Sequence, residues 1–233
     1  MLVAVVVAFV AVATAAGPAE GQACVGMPAP GGGAFVGGMV QPADALGAEV
    51  ASDGWLGAEV GARVGGPVTL RGRYRWRPED GLTTGAGSSP PGDDHSVEAL
   101  ATTPIDADRW DLCPAVGGEL RLQLRSGRES REEWRVPAGV GVGRTFDVGE
   151  RARLTAYAFP QAVLVSSPVS RTNPAEGAGT LDDRESEMEA RLDFGTVLAV
   201  GDLYGGLAFR VGSDLEGTVG FDRALELWGG VVF

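Results

Sequence analysis

The last ten residues, Ala224-Leu-Glu-Leu-Trp-Gly-Gly-Val-Val-Phe233, constrain this chain more than any other stretch. Counting back from Phe233 in twos gives Val231, Gly229, Leu227 and Leu225, with Val232, Gly230, Trp228 and Glu226 between them. That is the period of a β-strand, whose successive side chains stand on opposite faces, and one of these faces is largely apolar. A strand also needs a backbone partner on each side. If the last strand pairs with the first, no edge remains open, and an edgeless sheet is a closed barrel.

The same period recurs upstream. Candidate strands run over Ala34–Gln41, Gly54–Val64, Pro67–Trp76, Ser96–Thr103 and Trp110–Leu124. Others follow at Glu133–Phe146, Ala152–Val165, Glu185–Leu198, Leu203–Val211 and Leu225–Phe233. The expectation is an all-β, closed antiparallel up-and-down barrel of ten strands, with eight as the alternative even count. The connections alternate in length. Gly65-Gly66, Pro104–Arg109, Asp147–Arg151 and Ala199–Asp202 are short. Pro42–Asp53, Arg77–His95, Arg125–Glu132, Ser166–Arg184 and Gly212–Ala224 are long and polar. The short ones fall on the side that holds both termini.

Face assignment follows residue by residue. Val68, Leu70, Gly72, Tyr74 and Trp76 oppose Thr69, Arg71, Arg73 and Arg75. Leu56, Ala58 and Val60 oppose Glu59 and Arg63, and Leu112, Val116, Leu120 and Leu122 oppose Glu119, Arg121 and Gln123. Met188, Ala190, Leu192 and Phe194 oppose Glu187, Glu189, Arg191 and Asp193, while Leu203, Leu207 and Phe209 oppose Tyr204 and Arg210. The phase of the first, fourth and seventh strands stays open.

Three observations place the apolar face outside. Trp76, Trp110 and Trp134 lie on it near strand ends, where aromatic girdles of a lipid-spanning barrel sit. The polar face intersperses glycines such as Gly57, Gly61, Gly139, Gly141 and Gly143, which leave room for long side chains. That face is also nearly charge-balanced although the chain carries a formal net charge of −12. Arg63, Arg71, Arg73, Arg75, Arg121, Arg135, Arg191 and Arg210 face Glu59, Glu119, Glu133, Glu187, Glu189, Asp193 and Glu226. A confined lumen requires such balance, because an unpaired buried charge costs several kcal/mol. The expectation is therefore a lumen largely plugged by Arg–carboxylate pairs. The opposite orientation, a soluble lipocalin-like barrel around a ligand, is the alternative.

In its carboxyl-terminal strand the chain resembles the outer-membrane β-barrel proteins of Gram-negative bacteria, whose last strand commonly ends in an aromatic residue read by the assembly machinery. The resemblance implies that Phe233 is an assembly signal, that outer-membrane lipid and lipopolysaccharide are the surroundings, and that the protein works as a monomer. Small barrels of this class serve membrane stabilisation, adhesion or minor conduction. A structural or surface-interaction role is expected here, with a narrow channel for small solutes or ions as the alternative.

The amino terminus agrees with export. Leu2–Ala16 is an apolar run of signal-peptide length, followed by small residues, with cleavage after Ala16 or, preferably, Ala23. The expected organisation is a signal peptide over 1–23, a periplasmic segment over 24–33 and a barrel over 34–233. Cleavage before Cys24 opens a lipoprotein reading, although Gly21 stands where a lipobox carries Leu. The two cysteines, Cys24 and Cys113, suggest a disulfide in an exported protein, both lying at the terminal side of the barrel. Bridging a loop of roughly 90 residues contributes about 4 kcal/mol in the chain-entropy model.

Catalytic constellations are sparse. The single histidine, His95, follows Asp93-Asp94, which admits a hydrolytic Asp/His pair or a solvated acidic turn; the turn is the expectation. Ser88-Ser89 and Ser166-Ser167 have no second histidine to complete an acyl-transfer triad. Asp182–Glu187, Glu79-Asp80 and Asp93-Asp94 form an acidic rim, either solvated or bridged by divalent cations to lipopolysaccharide phosphates. Acidity argues against nucleic acid. No enzymatic activity and no cofactor are expected.

Overall fold

The computed structural model describes residues 33–42, 54–65, 67–77, 93–107, 110–124, 131–172, 180–214 and 222–233. The expected signal peptide, most of the segment that follows it and most of the long loops lie outside these residues. The described strands are β1 (Ala34–Gln41), β2 (Trp55–Gly65), β3 (Val68–Arg77), β4 (Asp93–Thr102), β5 (Ile105–Ala107) and β6 (Trp110–Leu124). They continue with β7 (Arg131–Gly149), β8 (Ala152–Thr172), β9 (Thr180–Val200), β10 (Leu203–Asp214) and β11 (Asp222–Val232). No helix occurs among the described residues.

All but β5 form a closed, antiparallel, up-and-down barrel of ten strands, in which each strand pairs with its chain neighbours. Closure comes from β1 against β11, in register from Phe35↔Val232 to Val40↔Leu227. Phe233 extends the seam, its N–H donating to the carbonyl of Ala34 at 2.9 Å. The three-residue β5 lies within the expected short connection Pro104–Arg109 and pairs with the start of β6. At the opposite kind of turn, Gly201-Asp202 joins β9 to β10 with Gly201 at φ 57°, the left-handed region a two-residue hairpin favours.

The walls are uneven. β1 has 8 residues, whereas β8 and β9 have 21 each. Their pairing continues from Ser166↔Ser186 to Thr172↔Thr180, inside the stretch Ser166–Arg184 that reads as a loop in the sequence. Ser, Thr and charged residues there give no apolar alternation, so the ladder persists where the period disappears. Two prolines interrupt the ladders elsewhere. The β6–β7 pairing lapses between Val116↔Ala138 and Glu119↔Arg135 around Pro137, and the β7–β8 pairing between Gly139↔Gln161 and Val142↔Ala158 around Pro160, with the register unchanged. Proline has no N–H to donate at either point.

The open phases also resolve. Phe35 and Met39 of β1, and Ser96, Glu98, Leu100 and Thr102 of β4, are buried. So are Thr155, Tyr157, Phe159, Gln161, Val163 and Val165 of β8. The lumen consequently has two layers. Toward the terminal end it is apolar, packed with Phe35, Leu100, Cys113, Tyr157, Val197, Tyr204 and Val232. Toward the loop end it is ionic. Glycines on inward positions make room for the large rings. A Cβ on Gly61 would stand 2.2 Å from the Phe35 ring, and one on Gly206 would stand 2.6 Å from the Trp228 ring.

Gly206→Ala is therefore expected to destabilise the barrel by about 1–3 kcal/mol through overpacking. Gly118→Ala, whose added carbon meets nothing within 4 Å, leaves the urea midpoint of the refolded protein unchanged.

A charged lumen as the candidate functional site

The site begins with the alternation of β3. Arg71, Arg73 and Arg75 stand at every second position and so form one inward column, all buried. Register puts carboxylates beside the middle arginine, since Arg73 lies opposite Glu59 on β2 and Glu98 on β4. The Arg73 guanidinium reaches Glu59 at 3.2 Å, and Arg71 reaches Glu98 at 3.2 Å. Arg75 reaches further around the wall, to Glu119 of β6 at 2.6 Å. Glu119 also accepts from Arg121 and from the Ser96 hydroxyl, each at 2.8 Å.

Longer contacts cross the lumen. Arg73 meets Glu226 of β11 at 3.3 Å, and Arg75 meets the same carboxylate at 3.5 Å. Glu226 in turn pairs with Arg210 of β10 at 3.2 Å. From there the chain of pairs continues to Asp193 of β9, 3.0 Å from Arg210 and 3.5 Å from Arg191. The Tyr204 hydroxyl donates to Glu59 at 3.0 Å, tying the apolar layer to the ionic one. Arg135 makes a cluster higher up, at 2.5 Å from Glu133 and 2.9 Å from Glu189.

Burial decides what this arrangement can do. Glu59 and Glu119 are each 1 % exposed and Glu98 3 %, so all three depend on arginines rather than water. A buried pair roughly breaks even against an apolar filling, but removing one partner costs about 3–5 kcal/mol because the other charge is left alone. The network therefore resists partial dismantling and fills the middle of the barrel with short, fixed contacts. Such an interior binds its own side chains. Among the described residues no group of three metal-ligating side chains converges.

Of the residues expected to form the lumen network, Glu59, Arg71, Arg73, Arg75, Glu119, Arg191, Arg210 and Glu226 are buried in it. Arg121, Glu133, Arg135, Glu189 and Asp193 join it from half-buried positions. Arg63 is half-buried near the terminal end of β2, where a bulge falls between Arg63 and Gly65. Glu187 corrects the expectation. It is exposed, because it lies on the part of β9 that rises beyond the last β10 pair, Asp214↔Glu189. Glu98 is the important omission. Its only sequence signal is that three arginines on β3 need an inward carboxylate on each side.

The lower lumen adds to the expectation of a lumen largely plugged by ion pairs, being packed with rings and aliphatic side chains. Asp94 and His95 do not combine into a hydrolytic pair. The His95 ring is bonded through Nδ1 to the Tyr74 hydroxyl at 2.8 Å, while Asp94 is buried and paired with Arg77. Gly139–Gly143 lies inside β7, as packing glycines should. Cys113 is completely buried, and no cysteine among the described residues is a free thiol. Its expected partner, Cys24, lies outside the described residues.

The outer surface has the reverse character. Val116 is 56 % exposed and Leu203 61 %, and Val97, Val140, Leu164, Leu192 and Leu227 are exposed with them. Trp134 marks the loop end of this belt, and Trp110 and Phe146 the terminal end. No family model and no curated relative matches the chain, so the geometry itself carries the functional argument.

Glu119→Gln or Arg75→Ala is expected to lower unfolding free energy in urea by about 3–5 kcal/mol. Arg153→Ala, which removes a solvent-facing pair with Asp147, changes it by less than about 0.5 kcal/mol.

Proposed function

We propose that this protein is a monomeric outer-membrane β-barrel of a Gram-negative bacterium with a structural or surface-interaction role and a sealed lumen. One observation carries the reading: the closed barrel buries its charges and exposes a belt of large aliphatic side chains. In water that distribution is costly, because exposed apolar surface is unfavourable by about 25 cal/mol per Å² and buried ions gain nothing over solvated ones. In a bilayer both terms change sign in favour of the fold. Closed barrels are also one of only two architectures that satisfy every backbone group within hydrocarbon. A lipocalin-like reading needs an apolar cavity inside, and the middle of this lumen is ionic.

The two layers argue against conduction. Ion pairs occupy the middle, and Phe35, Leu100, Tyr157 and Tyr204 close the terminal end. Phe233, at the β1–β11 seam, belongs to the same reading as the assembly signal. A Cys24–Cys113 disulfide would tie the segment ahead of β1 to the wall at that end.

Fractionation should place the protein in the outer membrane, and boiling should shift its mobility on a denaturing gel. Recovery in the periplasm, with no heat-dependent shift, would overturn the reading. In planar bilayers the wild-type protein is expected to show no discrete current steps. Replacing Arg71, Arg73 and Arg75 by Ser should still give none, because the apolar layer remains. Adding Phe35→Ala and Tyr204→Ala to that variant opens a measurable current. Discrete steps from the unaltered protein would favour the narrow-channel alternative.

A further inference from the structure

Among the described residues, the outward face of β7 carries a guanidinium, that of Arg144, which the lumen does not use. On β7, Thr145 points inward, its hydroxyl 2.9 Å from that of the buried Thr155, so its neighbours Arg144 and Phe146 point outward. Arg144 lies over two outward rings, with its guanidinium carbon 5.0 Å from the centre of Phe146 and 5.9 Å from that of Trp110. No carboxylate among the described residues lies within ion-pair distance of it. Arg77 differs: it follows Arg71, Arg73 and Arg75 on the inward face of β3, lies over the Trp55 ring at 5.4 Å and is paired with Asp94.

The level of Arg144 matters. Trp110 is 50 % exposed and Val148, two positions beyond Phe146, is also exposed, so apolar surface continues below the guanidinium toward the turn at Glu150-Arg151. Across the β7–β8 ladder Arg144 faces Ala156, whose small side chain leaves its flank open. A guanidinium among apolar residues at the edge of hydrocarbon needs an anion, and aromatic rings fix its plane without neutralising it. A guanidinium matches the paired oxygens of a phosphate diester.

We infer that Arg144, framed by Trp110 and Phe146, is a binding site for the phosphate headgroup of a phospholipid in the leaflet at the terminal end of the barrel. The inference rests on the membrane reading above. The guanidinium donates to the phosphate oxygens, the two rings hold its orientation, and the acyl chains lie along the belt above it.

The test uses the full-length protein refolded into phosphatidylcholine vesicles with trace spin-labelled phosphatidylglycerol or spin-labelled diacylglycerol, which lacks the phosphate. The association ratio of the first label over the second is read from the immobilised spectral component. Arg144→Gln should lower that ratio about fivefold, the worth of one basic residue at an anionic lipid surface, and Arg144→Lys should retain part of it. Arg153→Gln, at the same end of the barrel, should leave it unchanged. An equal ratio for wild type and Arg144→Gln, with both showing heat-dependent gel mobility, overturns this site and leaves the membrane reading standing. Failure of the wild-type protein to insert at all overturns both. Loss of the preference on adding inorganic phosphate would show a free-anion site and overturn the lipid assignment.

Discussion

Everything in this molecule depends on the requirement that the sheet leave no strand edge unpaired. That requirement forces closure, and closure joins the two least autonomous strands, β1 and β11. β1 has only 8 residues, two of them glycine at its centre, and offers little surface of its own. The seam is braced instead from within. Glu226 of β11 reaches past β1 and β2 to Arg73 of β3, while Glu59 of β2 takes the same arginine and the Tyr204 hydroxyl of β10. Four strands around the junction are thereby linked through two carboxylates. The ion pairs act less as ornaments of the lumen than as staples across the one joint that sequence-local contacts cannot make.

The lumen also shows how a narrow barrel can be filled by two unlike materials. Rings and aliphatic side chains need glycines opposite them, and Gly61 with Phe35 and Gly206 with Trp228 supply that fit. Long charged side chains need partners at fixed reach, which the register of β2, β3 and β4 provides. Tyr204 belongs to both, its ring edge-on to Phe35 at 5.8 Å and its hydroxyl on Glu59 at 3.0 Å. Packing below and ion pairing above are therefore one interlocked body.

How much of this was legible in the sequence varies strand by strand for physical reasons. β3 and β9 alternate charged with apolar residues, so their faces are readable directly. β8 is not readable, because its inward Tyr157, Phe159, Val163 and Val165 are as apolar as its outward Leu164. β4 fails differently: Ser96, Glu98 and Leu100 share a face that contains every kind of side chain, as a strand crossing both lumen layers must. Which arginine meets which carboxylate was equally hidden. Arg73 and Glu226 are 153 positions apart, and only closure and curvature bring them together. The upper reach of β8 and β9 carries no signal in the sequence, because ladder hydrogen bonds leave no mark on composition.

The unequal strands carry a consequence for how the chain is made. The tall β8–β9 ribbon needs only nearby residues to pair, and its formation closes a small loop at little entropic expense. The β1–β11 joint lies at the far extreme of sequence separation and cannot exist until the carboxyl-terminal strand is available. Until then both strands present bare edges, each a template for another unfinished copy. A cell making this protein faces its greatest hazard of clumping in that interval, and a chaperone that shields the glycine-rich edge of β1 would meet the need.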